Sequence, residues 1–325
     1  MNLFICATTL HLAIASRIVE LEKLEGKFDL LFVGNPTIRR KRVYLDHLTQ
    51  KAHNVIYFNQ HTQLKNGYSF TISTASKKLI KTLSPHYNRI LLANTYNKFY
   101  GFLLSFLDFK ELNTFDDGID SINPKSMFYS HKNEFWIKKI IQKLYGRKYW
   151  QKDLIALSKQ HYTLYPHAAN INKNLIPISL IDHSKLPKKN PDQVLNILIG
   201  SPYRDICSRH NRNEKKLALI KALQFIINKY SISLYFPHPR DEGEYFKNCQ
   251  SINPNRMSED IILELYQEGY AINLFGFAGS VQYNLADIPY IKNYALQSSL
   301  VSESINNAAN LQPDYFTFLL LDETN

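Results

Sequence analysis

Apolar residues in this chain come in short runs of strand length, and most runs are followed by a stretch with apolar positions every three or four residues. Leu3–Cys6, Asp29–Val33, Asn54–Phe58, Arg89–Ala93 and Leu112–Phe115 are the strand candidates of the first half, and Leu10, Ile14, Ile18 and Leu21 mark its first helix-like stretch. Strand and helix in alternation predict a parallel sheet with covering helices. The rhythm lapses over 166–194, where Asn, Pro and Lys gather in Lys185-Leu186-Pro187-Lys188-Lys189-Asn190-Pro191, and resumes at Leu195–Ile199. Strand candidates Ile232–Phe236 and Ile272–Phe275 follow, with helices near Glu214–Lys229 and Ser258–Gln267. The pattern therefore predicts an α/β protein of two Rossmann-like domains, 1–165 and 195–325, joined by a linker over 166–194, their parallel sheets facing an interdomain cleft. The length agrees, because 325 residues exceed the roughly 100–200 of one domain. No repeat that would signal a solenoid is visible.

Composition removes several classes. With 45% hydrophobic and 21% charged residues and only 11 Gly and 13 Pro, disorder and collagen-like structure are excluded. The three cysteines, Cys6, Cys207 and Cys249, are far apart and odd in number. They fit neither a disulfide framework nor a structural zinc site, so a cytoplasmic setting is expected. Leu3–Ala15 imitates a secretory signal, but no basic residue precedes Arg17 and the helical pattern runs through the supposed cleavage point. No segment has the length of a membrane span, so any membrane contact is peripheral, on the cytoplasmic face of the inner membrane. The net charge of +11 suits nucleic acid, anionic lipid or an anionic substrate, without choosing among them.

Ligands of doubly wound sheets bind beyond the carboxyl ends of strands, and three segments there carry chemistry. Asp116-Asp117-Gly118 follows the fifth strand candidate. Alone it reads as a turn, whereas its functional reading is a carboxylate pair in which one acid serves as general base. Pro237-His238-Pro239-Arg240 follows Ile232–Phe236; it is either a surface turn or an imidazole held to donate to a phosphate, with Arg240 assisting. Gly279-Ser280-Val281 opens a helix-like stretch, so Ser280 is an N-cap or a phosphate contact. Gly200-Ser201, after Leu195–Ile199, reads as a turn or a further nucleotide contact. No Asp-x-Asp occurs, which fits phosphate neutralisation by side chains rather than by a metal ion.

Through Asp116-Asp117-Gly118, His238-Pro239 and Ser280-Val281 the sequence resembles bacterial sialyltransferases, most closely glycosyltransferase family 52, the lipooligosaccharide sialyltransferase family. The opening Asn2–Leu10 and His161-Tyr162-Thr163-Leu164-Tyr165 add to the resemblance, which spans roughly residues 1–290. It differs at Thr9, where a proline is expected, and at Val281, where some relatives carry a second hydroxyl. The resemblance implies a GT-B fold and inverting, metal-independent transfer from CMP-sialic acid to a galactose-terminated glycan or glycolipid. It assigns Asp116 as base and Asp117 as its supporting neighbour, with His238 and Ser280 on the donor phosphate. Gly118, Pro239, Arg240, Gly200, Ser201, Gly279 and Val281 then belong to the substrate-binding set, with Thr8 and Thr9 on the acceptor side. No cofactor or metal is implied.

Two basic stretches stand apart. Arg39-Arg40-Lys41-Arg42 is a solvated helix start or a contact for acidic lipid or oligosaccharide. In Glu134–Trp150, apolar residues at helical spacing interleave with Lys138, Lys139, Lys143, Arg147 and Lys148, which suits a packed helix, a homodimer interface or a helix on an anionic membrane. The competing functions are a GT-B enzyme using another nucleotide sugar, such as a glucosyltransferase, and a non-catalytic glycan-binding or nucleic-acid-binding protein. No nucleic-acid-binding motif is found, so nucleic acid is not an expected partner.

Overall fold

A computed structural model describes residues 1–321 except 38, 65–66, 130–134, 187–190, 192, 242, 244 and 253–254. The chain divides into two compact units, Met1–Ile181 and Asp182–Asn325.

Among the described residues, the first unit holds strands β1 (Asn2–Cys6), β2 (Phe28–Val33), β3 (Asn54–Phe58), β4 (His86–Leu92), β5 (Asp108–Phe115), β6 (Ser158–Thr163) and β7 (Leu175–Pro177). They form one parallel sheet in the order β3-β2-β1-β4-β5-β6-β7. Successive side chains of a strand face opposite sides, and β1 fills a core on each: Leu3 and Ile5 join one buried cluster, Phe4 and Cys6 the other. Helix Thr9–Glu22 covers the second face through Leu12, Ile14 and Ile18, and helix Lys98–Phe106 covers the first through Phe99, Phe102 and Leu103. Chain order reverses between β1 and β4, and the loops leaving these neighbours part to opposite sides of the sheet, opening a crevice at its carboxyl edge.

The second unit repeats the plan with β8 (Gln193–Ile199), β9 (Leu234–Phe236), β10 (Gln250–Ser251), β11 (Tyr270–Gly276), β12 (Ile291–Gln297) and β13 (Phe316–Leu320). These form a parallel sheet in the order β10-β9-β8-β11-β12-β13, reversing between β8 and β11. Leu198, Leu219, Leu223, Ile226 and Phe275 anchor its main buried cluster, and the ring of Phe275 stacks on Tyr294.

Every strand expected from the sequence is present, shifted by a few residues at most at either end, except that Ile232 and Ser233 precede β9 rather than belong to it. Strands β6, β7, β10, β12 and β13 were not expected. β6 and β12 are interrupted by Lys, Gln and Asn, while β7 and β10 are too short to show a period. The expected linker also changes: β7 lies inside 166–194 and pairs with β6, and Ile176 packs on the core, so residues to Ile181 belong to the first unit. Of the Lys185–Pro191 run, 187–190 lie outside the described residues. Among the described residues, no helix is long and apolar enough to cross a membrane.

Candidate active site

The adjacent acids after β5 occupy different surroundings. Register pairing sets Thr114 beside His161 and Phe115 beside Tyr162, and the Asp116 amide continues the ladder by donating to the Tyr162 carbonyl at 3.2 Å. The Asp116 side chain therefore closes onto β6 and is fully buried. Its Oδ1 lies 2.9 Å from His161 Nε2, and its Oδ2 accepts from Thr163 Oγ1 at 2.9 Å and the Leu164 amide at 2.6 Å. His161 Nδ1 lies 2.9 Å from Thr114 Oγ1, so the network is anchored on both strands. Both oxygens of Asp116 are engaged by protein, which differs from the expectation of an open-facing base at this position.

At Asp117 the chain turns away, because Gly118 takes a φ of 70°, in the left-handed region open to glycine. The Asp117 amide donates to Ser121 Oγ at 2.9 Å, and its side chain keeps 18% exposure. Oδ1 lies 2.6 Å from His11 Nε2, and Oδ2 accepts from Asn94 Nδ2 at 3.1 Å. His11 sits in the first turn of the helix after β1, where Thr8 caps the helix by accepting the His11 amide at 3.1 Å. The Ala7 amide donates to His11 Nδ1 at 3.2 Å, which assigns the proton on Nε2 to Asp117. Phe115 backs the imidazole edge-on at 5.8 Å. Loops following β1, β4 and β5 thus converge on one carboxylate beside the reversal of strand order. Burial pushes the Asp117 carboxyl up, but the electrostatic pull of His11 and the hydrogen bonds from His11 and Asn94 outweigh it and hold it below its ordinary value.

Of the expected acceptor-side pair, Thr8 is exposed and spends its hydroxyl as the helix cap, while Thr9 is half-buried as the first helical residue. In the basic run, Lys41 donates to the Ala7 carbonyl at 3.1 Å and sits over the Phe32 ring, and burial lowers its pKa. Arg42 lies 3.6 Å from Asp46. Sequence reasoning missed His11, Asn94 and His161. Asn94 stands just past β4 and His11 in the first helical turn after β1, so a search extended a few residues past each strand end could have found them; His161 lies within β6, which the pattern did not reveal.

In the second unit, β9, β8 and β11 are neighbours, so the segments that follow them share one sheet edge. The Gly200 amide donates to the Phe236 carbonyl at 2.8 Å, and a Cβ on Gly200 would stand 2.8 Å from the His238 amide nitrogen. Only glycine fits this approach. The Arg240 amide donates to His238 Nδ1 at 3.1 Å, which orients the half-buried ring; Pro239 and Arg240 are exposed, and Ser201 is half-buried. The Arg240 guanidinium stands 3.8 Å from Asp205, an exposed pair of little energetic weight. Gly279 occupies the cap position of helix Ser280–Asn284, so Ser280 opens the helix instead of capping it, followed by half-buried Val281. Among the described residues, no three His, Cys, Asp or Glu side chains gather as a metal site.

Known proteins share this framework. The fold is similar to Methanocaldococcus jannaschii UDP-GlcNAc 2-epimerase in complex with UDP-GlcNAc and UDP, with a TM-score of 0.53 and 12% identity, covering 99% of this chain and 89% of that one. At that identity the likeness concerns the fold alone, the GT-B class of two Rossmann-like units. In sequence, the chain is 33% identical over 275 residues to the CMP-N-acetylneuraminate:beta-galactoside alpha-2,3-sialyltransferase of Pasteurella multocida (strain Pm70), with 82% of each chain covered. It is 29% identical over 300 residues to the N-acetyllactosaminide alpha-2,3-sialyltransferase of Haemophilus influenzae, covering 92% of this chain and 93% of that one. Residues 28–300, from β2 through the whole edge that carries His238 and Ser280, match the pattern defining glycosyltransferase family 52, and the chain belongs to that family.

Proposed function

We propose that this protein is an inverting sialyltransferase that moves sialic acid from CMP-sialic acid to a terminal galactose of a lipooligosaccharide or another surface glycan, in α-2,3 linkage. The observation that carries this reading is the partly exposed Asp117 carboxylate, fixed by His11 and Asn94 at the carboxyl edge of the first sheet. Family membership and the names of the two relatives support the donor, acceptor and linkage. We assign the base to Asp117 rather than Asp116, because a base must reach the proton it abstracts and Asp116 is sealed by its own partners.

In this mechanism the galactose hydroxyl attacks the anomeric carbon of sialic acid on the face opposite CMP. The bond from that carbon to the phosphate oxygen breaks, and its electron pair leaves with CMP. The hydroxyl proton passes to Asp117 and then to water. His238 and Ser280 donate to the phosphate and balance the charge growing on it as the sugar becomes oxocarbenium-like.

Three outcomes test the reading. In a screen of nucleotide sugars on galactose-terminated acceptors, transfer from CMP-sialic acid is expected; transfer from uridine or guanosine donors alone overturns it. Activity is expected to survive EDTA, and loss in EDTA that is restored by Mg²⁺ or Mn²⁺ removes the metal-free scheme. His238→Ala deletes a donor to a charged group worth about 1.5–3 kcal/mol, so calorimetry should find CMP binding weakened roughly tenfold or more, with slower transfer. Unchanged CMP affinity takes His238 off the phosphate.

A further inference from the structure

Lys41 is placed unlike a surface lysine. It lies in the first turn of helix Arg39–Lys51, which follows β2, and its ammonium stands over the ring of Phe32, 5.5 Å from the centre. There it donates to the Ala7 carbonyl at 3.1 Å, just past the carboxyl end of β1. Among the described residues it forms no ion pair. Burial lowers its pKa, the cost of holding a cation away from water with no acid beside it. An ammonium has three N–H donors, so a single carbonyl leaves the others for a group that comes from outside.

Its neighbours are those of the base. Ala7 accepts from Lys41 through its carbonyl and donates through its amide to His11 Nδ1 at 3.2 Å, and His11 Nε2 lies 2.6 Å from Asp117 Oδ1. Three hydrogen bonds thus join the ammonium to the carboxylate assigned to take the acceptor's proton. Lys98, which follows β4 in the same way, is instead turned to Ser69 Oγ at 3.0 Å.

The proposed reaction brings a further charge to this place. Sialic acid carries a carboxylate on its anomeric carbon, the carbon that the galactose hydroxyl attacks. A base that reaches this hydroxyl stands close to that carboxylate as well, and two like charges so near repel unless a cation offsets them. His238 and Ser280 serve the phosphate, which leaves the sugar's carboxylate in need of a counter-charge. A partly buried ammonium suits it, because salt and water screen such a charge less than one at the surface. We infer that Lys41 binds the carboxylate of the donor's sialic acid and so holds the anomeric carbon toward the hydroxyl that Asp117 deprotonates. The inference rests on the proposed donor, since a sugar without a carboxylate gives Lys41 nothing to hold.

The test is calorimetry of the full chain with two ligands: CMP, and CMP-3-fluoro-sialic acid, a donor analogue whose fluorine slows the departure of CMP. Lys41→Met loses a hydrogen bond to a charged group but keeps a stem over Phe32, so affinity for the fluoro donor should fall roughly tenfold or more while that for CMP stays within about twofold. Lys41→Gln should behave alike, Lys41→Arg should recover most of the loss, and all three should melt like wild type. In initial-rate kinetics the acceptor KM should not change. Undiminished binding of the fluoro donor by Lys41→Met and Lys41→Gln overturns the inference. Equal loss for both ligands places Lys41 on the phosphate, and a raised acceptor KM with unchanged donor binding places it on the acceptor; either result overturns it too. A wild type that binds CMP but neither binds the fluoro donor nor transfers sialic acid is a different failure, which removes the donor reading and the inference with it.

Discussion

Asp117→Asn lowers kcat by roughly 10²-fold or more, equivalent to about 2.7 kcal/mol at 1.36 per tenfold, with CMP affinity and melting temperature near wild type. The substitution keeps nearly the same volume and an oxygen to accept from His11, and gives up only the single hydrogen bond from Asn94, while the proton acceptor is gone. Because Asp117 is held below the ordinary carboxylate value, the acid limb of the kcat/KM profile is expected below the usual carboxylate range. Replacing His11 by Gln removes the pull that lowers it and moves that limb upward. Near-normal kcat in Asp117→Asn, combined with loss of turnover in an Asp116→Asn variant that melts like wild type, returns the base to Asp116.

Asp116→Ala is expected to act on stability. It leaves the His161 ring, the Thr163 hydroxyl and the Leu164 amide without their acceptor inside a closed strand pair. Breaking a buried, hydrogen-bonded charge by removing one partner costs roughly 3–5 kcal/mol, a large share of the 5–15 kcal/mol that holds a typical fold. Denaturant unfolding or a melting scan measures it. His161→Ala should fall in the same range, since it strands the carboxylate instead. A variant that keeps wild-type stability at either position removes Asp116 from the framework.

How much of this could be read from the chain depends on where apolar burial is complete. β1 and β2 are buried at nearly every position, and β4, β5, β8 and β11 over their carboxyl halves, so their apolar runs stand out. β6 is only half buried and its Lys and Gln break the apolar run, whereas β13, largely exposed, does carry an apolar run ending in Phe318-Leu319-Leu320, which lies outside the strand candidates. The missing β6 also explains why the first acid of the pair looks open in the sequence: the partners of Asp116 come from that strand and from Leu164 just after it. Asp116-Asp117-Gly118, His238 and Ser280 do stand just past strand ends, as expected, but which of two adjacent acids stays open depends on which way a side chain faces after the last ladder bond. That is set by register and by the positive φ of Gly118, and neither is visible in a two-letter motif.

The buried network of Asp116 also bears on how the sheet is assembled. Until residues 158–163 have been made, β5 is the growing edge of the first sheet, and its end carries a carboxylate whose partners do not yet exist. A carboxyl group in that place penalises any strand that docks there without hydrogen-bond partners, as edge strands in natural sheets use inward-pointing polar groups to resist mispairing. β6 brings a histidine and a threonine, and Leu164 just after it an amide, at matching positions, so its docking satisfies the carboxylate as a purely apolar segment would not. One carboxylate can thus serve as a password for a single neighbour, and the sheet is extended by recognition as well as by burial.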